Sequence, residues 1–438
     1  MAEKVIVEKT RYFRELIILV LFLIISASIA WHINFDDGFA TDQITYIEIA
    51  KRILDNNFNY HPFYTFSYVI AFFYEYTDSF ELSLKWILFF CCVIYLKSMY
   101  FSLSCFHKSP SIRFITTIIS IVPHYTLGMT YWGFAGAKYV LARILFTAIC
   151  PIVLALFFQY RNNNKVWIPF LLCAAGCFLH LSAVYLFAVL VVTKCISDFK
   201  EKHDLAEKNK KMFIAGMLWG GILIIIVRYF ENWQFCLFGN EISTPRREIY
   251  SYLLAVNINF FSEITHANYV DLLWDSMYKG YWWTMFPPRI SDIAFFLFTS
   301  IFVIFFAIHG AVLQWKNKYD LFKFNMIFIA AIVIVAFGYQ CVRFIGWKLL
   351  GTPPNIFEEV RTFKYLFWPL FTFIATYLTV MKARKRYFYM ILSIFIMMIP
   401  NLETIQNLPE KAKEEILSFA MQLSKKEEKI EYVVKALN

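Results

Sequence analysis

Apolar stretches of membrane-crossing length follow one another along most of this chain, parted by short polar segments. A helical span needs roughly 17–25 mostly apolar residues. By that measure about eleven stretches read as spans: 13–33, 82–104, 111–127, 138–160, 166–179, 182–197, 212–229, 292–313, 324–342, 362–381 and 387–400. Two shorter patterns lie in the first long polar segment. Ile44, Ile47, Ile49, Ile53 and Leu54 alternate with Glu48, Lys51, Arg52 and Asp55 at helical spacing, which predicts an amphipathic helix. Residues 62–76 are aromatic and too short to span, and read as a second helix lying along the membrane surface. The apolar run 166–197 is too long for one straight span and too short for two. It predicts a tight helical hairpin with Leu179, His180, Leu181 and Ser182 at its apex. After Pro409 the tail shows a helical pattern (Ala412, Ile416, Phe419, Ala420, Leu423), and Lys429 to Val434 reads as one short strand.

Composition narrows the class. The chain is 59% hydrophobic and 20% aromatic with only 17% charged residues, and its mean hydropathy is +0.54. Those values exclude a water-soluble domain of 438 residues. No small-residue cleavage site follows the first stretch, so 13–33 is read as a retained span rather than a signal peptide. The expected fold is therefore an all-α polytopic membrane protein. Residues 1–400 form its membrane domain, and 401–438 form a short external tail.

Charge sets the expected orientation. Lys4, Lys9, Arg11 and Arg14 precede the first span. Lys108 and Arg113, then Arg161 and Lys165, then Lys200, Lys202, Lys208, Lys210 and Lys211, then Lys316 and Lys318, and finally Lys382 to Arg386 occupy every second loop. Basic loops stay on the cytoplasmic side. The amino terminus is thus expected in the cytoplasm. The longer, more acidic and aromatic segments 34–81, 128–137, 230–291, 343–361 and 401–438 face outward. The net charge of +10 and pI near 9.0 reside mostly in those short loops, so they argue for orientation and not for a nucleic-acid partner. Nine cysteines are present without any CxxC. Cys173 and Cys177, four apart with no His or acidic neighbours, read as helix packing rather than metal ligands.

Candidate chemistry gathers at the outward edge. Asp36, Asp37 and Asp42 sit where the first span meets water, just before the amphipathic helix. A carboxylate there can serve as general base toward an acceptor hydroxyl. The alternative is that these residues end one helix and cap the next, a role that Thr41 or Asp42 fills equally well. Arg361, Lys364, Arg343, Lys138 and Arg143 lie at outward helix ends or within a turn of them. Arg in particular matches phosphate oxygens with its planar fork; ordinary snorkelling toward headgroups is the competing explanation. His180, at an intramembrane apex, faces a cavity or satisfies a neighbouring hydroxyl. The Trp residues of 230–291 (Trp233, Trp274, Trp282, Trp283) serve as interfacial anchors or sugar platforms.

Two resemblances give these residues a context. Asp42-Gln43-x-x-Tyr46-x-x-x-Ala50, followed by an aromatic segment with Pro62, resembles the first outer loop of GT-C glycosyltransferases. These are polytopic enzymes that take sugars from polyprenyl-phosphate or polyprenyl-diphosphate carriers. Gln43 stands where that family commonly has Glu. The resemblance extends to the His180 hairpin and to Glu358-Glu359-Val-Arg361-Thr-Phe-Lys364-Tyr365-Leu-Phe-Trp-Pro369, which looks like the Arg-Tyr-x-x-Pro entry to a late span. The second resemblance is to bacterial exopolysaccharide and O-antigen polymerases. It is carried by Gly136-Ala-Lys138-Tyr-Val-Leu-Ala142-Arg143 and by Phe178-Leu-His180-Leu-Ser182-Ala183, with Lys138 where those proteins have Arg.

Both resemblances imply glycosyl transfer on the outer, periplasmic face of a bacterial inner membrane, from a polyprenyl-linked donor to a glycan or lipid acceptor such as O-antigen or lipopolysaccharide. They imply Asp42 as the catalytic carboxylate, with Asp37 as its substitute. They imply Arg361, Lys364, Tyr46, His180, Lys138 and Arg143 as substrate and phosphate contacts. A divalent metal, Mg or Mn, is an open element, for which Asp42 and His61 are the candidate ligands. They differ in whether one sugar or a whole repeat unit moves. A lipid-linked-substrate transporter is the competing class. It predicts charged or Gly/Pro-broken spans near the midplane in two related halves, whereas here the charge gathers at the edge. A membrane O-acyltransferase rests only on a His in an apolar run.

Overall fold

The computed structural model describes residues 2–32, 41–55, 65–126, 140–180, 182–201, 210–211, 213–222, 305–350, 362 and 365–398. Every regular element among them is helical. In chain order these are α1 (Ala2–His32), α2 (Thr41–Leu54), α3 (Thr65–Thr77), α4 (Phe80–Leu103), α5 (Pro110–Thr126), α6 (Arg143–Tyr160), α7 (Trp167–Ala175), α8 (Ser182–Glu201), α9 (Phe213–Ile222), α10 (305–317), α11 (Tyr319–Leu350), α12 (Phe367–Val380) and α13 (Ala383–Met398). Among the described residues, four stretches are long and apolar enough to cross a membrane: Tyr12–Trp31, Phe80–Leu103, Arg143–Tyr160 and Tyr319–Ala336. Phe13, Leu16, Ile17, Val20 and Ile24 of α1 are exposed on one helix. Such an apolar surface needs lipid or another protein against it, and the described helices suit a membrane-embedded bundle.

Local chemistry sets the helix ends. Ser79 caps α4 by accepting from the Leu82 amide at 3.3 Å. Pro110 opens α5, where its missing N–H costs nothing. Arg143 opens α6, five residues later than the apolar run alone predicts. Helix α11 continues to Leu350, so Arg343 lies two turns inside it rather than at its end.

Two apolar clusters share α6 as a common wall. One joins α1 to α6 through Phe22, Leu88, Tyr95, Ile118, Val140 and Ile144, and takes in Ile47 and Ala50 of α2 and Phe66 and Ile70 of α3. The other joins α6 to α7, α8, α11 and α12 through Phe146, Phe170, Leu186, Phe328, Trp368 and Phe371.

The two ends of the bundle differ chemically. At one end three basic loops meet. Lys318 donates to the Phe106 carbonyl at 3.0 Å, Gln159 donates to Cys105 Sγ at 3.2 Å, and the Arg161 guanidinium lies over the rings of Phe158 (4.1 Å) and Phe324 (5.2 Å). At the opposite end of α4 the residues are aromatic. Trp31, Trp86, Phe89, Phe90, Phe73, Phe72 and Tyr76 form a continuous chain of ring contacts between 5.1 and 5.9 Å. Aromatic side chains gather in this way where a bundle meets the membrane–water interface.

Candidate functional site

The residues singled out in the sequence come from four segments; packing brings the described parts of three of them near the start of α6 and links the fourth, the entry to α12, to the third deeper in the bundle. Helix α2 is the first. Its polar face carries Glu48 and Lys51, both exposed; it packs on α3, and its Ile47 and Ala50 are buried in the apolar cluster that also holds Val140 and Ala142. Gln43 is fully buried, and its amide reaches the Val140 carbonyl at 3.5 Å. That bond is long and weak; α2 is held mainly by its packing on α3 and by the burial of its apolar face. Together they seat the first turn of α2 beside the segment that leads into Arg143. Tyr46 contributes packing, with its ring edge-on to Phe66 at 5.1 Å.

The second segment is the start of α6. Arg143 is itself buried, 8% exposed, and its carbonyl accepts from Thr147 Oγ1 at 2.9 Å. A buried guanidinium is stable only with hydrogen-bond acceptors or counter-charge around it. One turn on, Phe146 lies against Gly176. A Cβ at residue 176 would strike the Phe146 ring and come within 3.3 Å of the Ala183 Cβ, so glycine is what permits α6 to approach the third segment this closely.

That third segment is the hairpin turn. The hairpin forms as its length predicts: α7, a 3-10 turn over Gly176–Phe178, and α8. Cys173 Sγ donates to the Ala183 carbonyl at 3.2 Å across it, a packing role for this cysteine. At the apex, Nδ1 of His180 lies 2.8 Å from Ser182 Oγ and accepts from the Ser182 amide at 3.1 Å. The histidine side chain therefore closes the turn that starts α8.

The fourth segment is the entry to α12. Tyr365 is fully buried, and its hydroxyl donates to the Ser182 carbonyl at 2.6 Å. Within one turn Trp368 packs on Phe106, 5.5 Å between ring centroids, and Phe106 belongs to the end that carries Lys318. The entry to α12 is thus recessed into the bundle rather than flush with its rim. A buried polar cluster holds it there. Gln314 donates to the Thr372 carbonyl and to Thr376 Oγ1, both at 2.9 Å. Asn325 donates to Gln314 Oε1 at 3.0 Å and to Thr372 Oγ1 at 2.8 Å. These bonds tie α10, α11 and α12 together.

Of the sequence-selected residues, Tyr46, Arg143 and His180 are described with their side chains, and Asp42 by its backbone in the first turn of α2. Asp36, Asp37, His61, Lys138, Arg361, Lys364 and the segments 230–291 and 401–438 lie outside the described residues, as do the side chains of Asp42 and Arg343. The described residues thus bear on neither candidate metal ligand. The sequence reading missed Gln43 and Tyr365 as the groups that fasten α2 to α6 and α12 to the hairpin. For Tyr365 the available signal was its place in the Arg361–Pro369 run. For Gln43 it was an uncharged amide at a position where the resembling family carries an acid. The chain matches no protein-family model, no curated protein and no solved structure.

Proposed function

We propose that this protein is an integral-membrane glycosyltransferase of the cell envelope that takes its sugar from a polyprenyl-(di)phosphate carrier on the outer, periplasmic face. The observation that supports it is convergence. The turn bearing Asp42, the start of α6 at Arg143, the His180 turn and the entry that follows Arg361 and Lys364 belong to four segments far apart in sequence. The Gln43–Val140 hydrogen bond, the packing of Phe146 on Gly176 and the Tyr365–Ser182 hydrogen bond link their described parts. In this reading the full span set approaches eleven, with a GT-C-like arrangement. Asp42 takes the proton from the acceptor hydroxyl as the new glycosidic bond forms, with Asp37 as its substitute. Arg361, Lys364, Lys138 and Arg143 stabilise the negative charge on the departing carrier phosphate. Tyr46 and His180 line the substrate. If a divalent ion takes part, Asp42 and His61 are its ligands, and it adds positive charge at the phosphate.

A second reading, transfer of a whole repeat unit by a polymerase, is favoured by one contact. Phe146, three residues past the Gly136–Arg143 motif, packs on Gly176, two residues before the Phe178–Ala183 motif, so the two motifs flank one close approach.

The test is purified protein in proteoliposomes supplied with polyprenyl-linked glycans bearing a radiolabelled sugar. Release of polyprenyl phosphate or diphosphate with the label in a longer glycan is the expected result. Label moved as a single sugar supports the first reading, and label moved as a block supports the second. Intact donor recovered from the opposite leaflet would replace both with a transporter.

A further inference from the structure

Three polar loops meet at the end of the bundle where α4, α6 and α10 finish: 104–109, 161–166 and 316–320. They carry Lys108, Arg161, Lys165, Lys316 and Lys318, and Asp320 is the single acidic residue in them. Side-chain contacts bring these charges together. Lys318 Nζ donates to the Phe106 carbonyl at 3.0 Å, which joins the third loop to the first. Gln159 donates to Cys105 Sγ at 3.2 Å, which joins the end of α6 to the first loop as well. The Arg161 guanidinium donates to the Phe158 carbonyl and lies over the Phe324 ring at 5.2 Å, so the second loop also meets α11.

Cations gathered in this way repel one another and favour an anion among them. Lys108, Lys165, Lys316 and Lys318 make no ion pair among the described residues. An ammonium has three hydrogens to donate, and Lys318 spends one on Phe106. Burial pushes its pKa down, so negative charge beside it is stabilising.

The neighbouring surface indicates which anion. Val312 and Trp315 of α10 and Tyr319 and Met326 of α11 are exposed. The rings of Trp315 and Tyr319 both lie 6.5 Å from that of Phe322, which puts them on one side of the bundle. Exposed apolar surface on a membrane-embedded bundle faces acyl chains, and Trp and Tyr mark the depth of the headgroups. Lysines bordering that surface reach lipid phosphates.

We propose that this end of the bundle docks anionic phospholipid headgroups. Arg161 and Lys318, held by the Phe158 and Phe106 carbonyls, supply its fixed charges, and the exposed Lys108, Lys165 and Lys316 supply its adaptable ones. The inference rests on the membrane-embedded bundle and is independent of the transfer reaction proposed above.

The test uses full-length protein in phosphatidylcholine nanodiscs that carry a minor share of dibrominated phosphatidylglycerol or of dibrominated phosphatidylcholine. Both leaflets carry the probe, so orientation does not enter. Bromine quenches tryptophan on contact, and Trp315 emission is the difference between wild type and Trp315→Phe. Phosphatidylglycerol should be enriched at Trp315 by about fivefold or more, the effect of one cation at an anionic surface. The triple variant Lys108→Gln/Lys165→Gln/Lys316→Gln removes one exposed lysine from each loop and no buried contact. It should keep the wild-type melting temperature and lose most of the enrichment. Removing the same charge at the start of α13, with Lys382→Gln/Arg384→Gln/Lys385→Gln, should leave the enrichment largely intact. Soluble glycerol phosphate at matched ionic strength should not reverse it.

Equal quenching of Trp315 by the two lipids in wild type would overturn the proposal. So would an enrichment that survives the three-loop variant, or one that falls equally in the α13 variant. Reversal by glycerol phosphate would assign the charges to a soluble phosphate and overturn the lipid.

Discussion

Replacing Gln314 with leucine tests whether α12 is held in place by the buried amide cluster. The change removes three hydrogen bonds: two donated by Nε2, to the Thr372 carbonyl and Thr376 Oγ1, and one accepted by Oε1 from Asn325. All four side chains are buried. Three bonds at roughly 0.5–1.5 kcal/mol each give about 1.5–4.5 kcal/mol. The average near 0.6 kcal/mol measured for side-chain bonds in membrane bundles gives about 2 kcal/mol. Leucine matches glutamine in size and relieves the burial of one amide, so the lower half of that range, about 2–3 kcal/mol, is the expected loss. The sign of the coupling discriminates more sharply. Gln314→Leu strands part of the Asn325 amide, whose Oδ1 already has no partner among the described residues. Removing both partners is cheaper than removing one, so Gln314→Leu with Asn325→Leu should cost less than the sum of the single changes. The assay is reversible unfolding in mixed detergent–SDS micelles followed by tryptophan fluorescence. A loss under about 0.5 kcal/mol, or strict additivity, would refute the claim that this cluster fastens α12.

Gly310→Ala should destabilise by about 1–3 kcal/mol, because its Cβ would meet the Phe373 backbone carbonyl, which has no rotamer to escape into. Gly221→Ala, where a Cβ meets nothing within 4 Å, should be neutral or stabilising, and equal effects at the two sites would refute the close α10–α12 approach. Burial, with nearby Lys318 as the smaller cause, pushes His107 from 6.5 down to about 3. The folded protein keeps His107 neutral, while the unfolded chain takes up the proton below about 6.5. The contribution of this group is therefore present above pH 6.5 and is lost progressively as pH falls toward 3. His107→Gln should flatten that limb of a melting-temperature profile, and an unchanged limb would refute the assignment. A cysteine introduced at Ser418 should be labelled by a membrane-impermeant maleimide in intact cells and one at Glu8 should not; the reverse pattern would overturn the outward placement of the site.

Some of this architecture is legible in the residues. The apolar runs of α1, α4 and α6 announce themselves by length, and the length of 166–197 specifies a hairpin because two full spans do not fit. The helical spacing of Ile44, Ile47, Ile49, Ile53 and Leu54 gives α2, though of these only Ile47 and Ile49 are buried and Ile44 is exposed. What the pattern does not carry is long-range pairing. Gln314, Asn325, Thr372 and Thr376 are isolated polar residues in apolar runs, with no local mark of their common partner. Gln43 reads as a lost acid until its burial against Val140 is seen. Nothing in the spacing of Tyr365 states that its hydroxyl reaches Ser182 across the bundle. Helix ends were missed for a related reason. The apolar run starts five residues before α6 begins at Arg143, and α11 carries helical backbone on to Leu350 through the polar residues Gln340 and Arg343.

The most direct test of glycosyl transfer at the outer rim is single-turnover chemistry with Asp42→Asn. Wild-type and variant protein, matched for melting temperature and for polyprenyl-phosphate binding, would receive a labelled polyprenyl-linked donor and acceptor glycan. Loss of a general base typically costs about 10²–10⁴-fold in rate, so wild type should transfer the label and the variant should retain donor binding with turnover reduced by that factor. Transfer by Asp42→Asn at the wild-type rate would contradict the account.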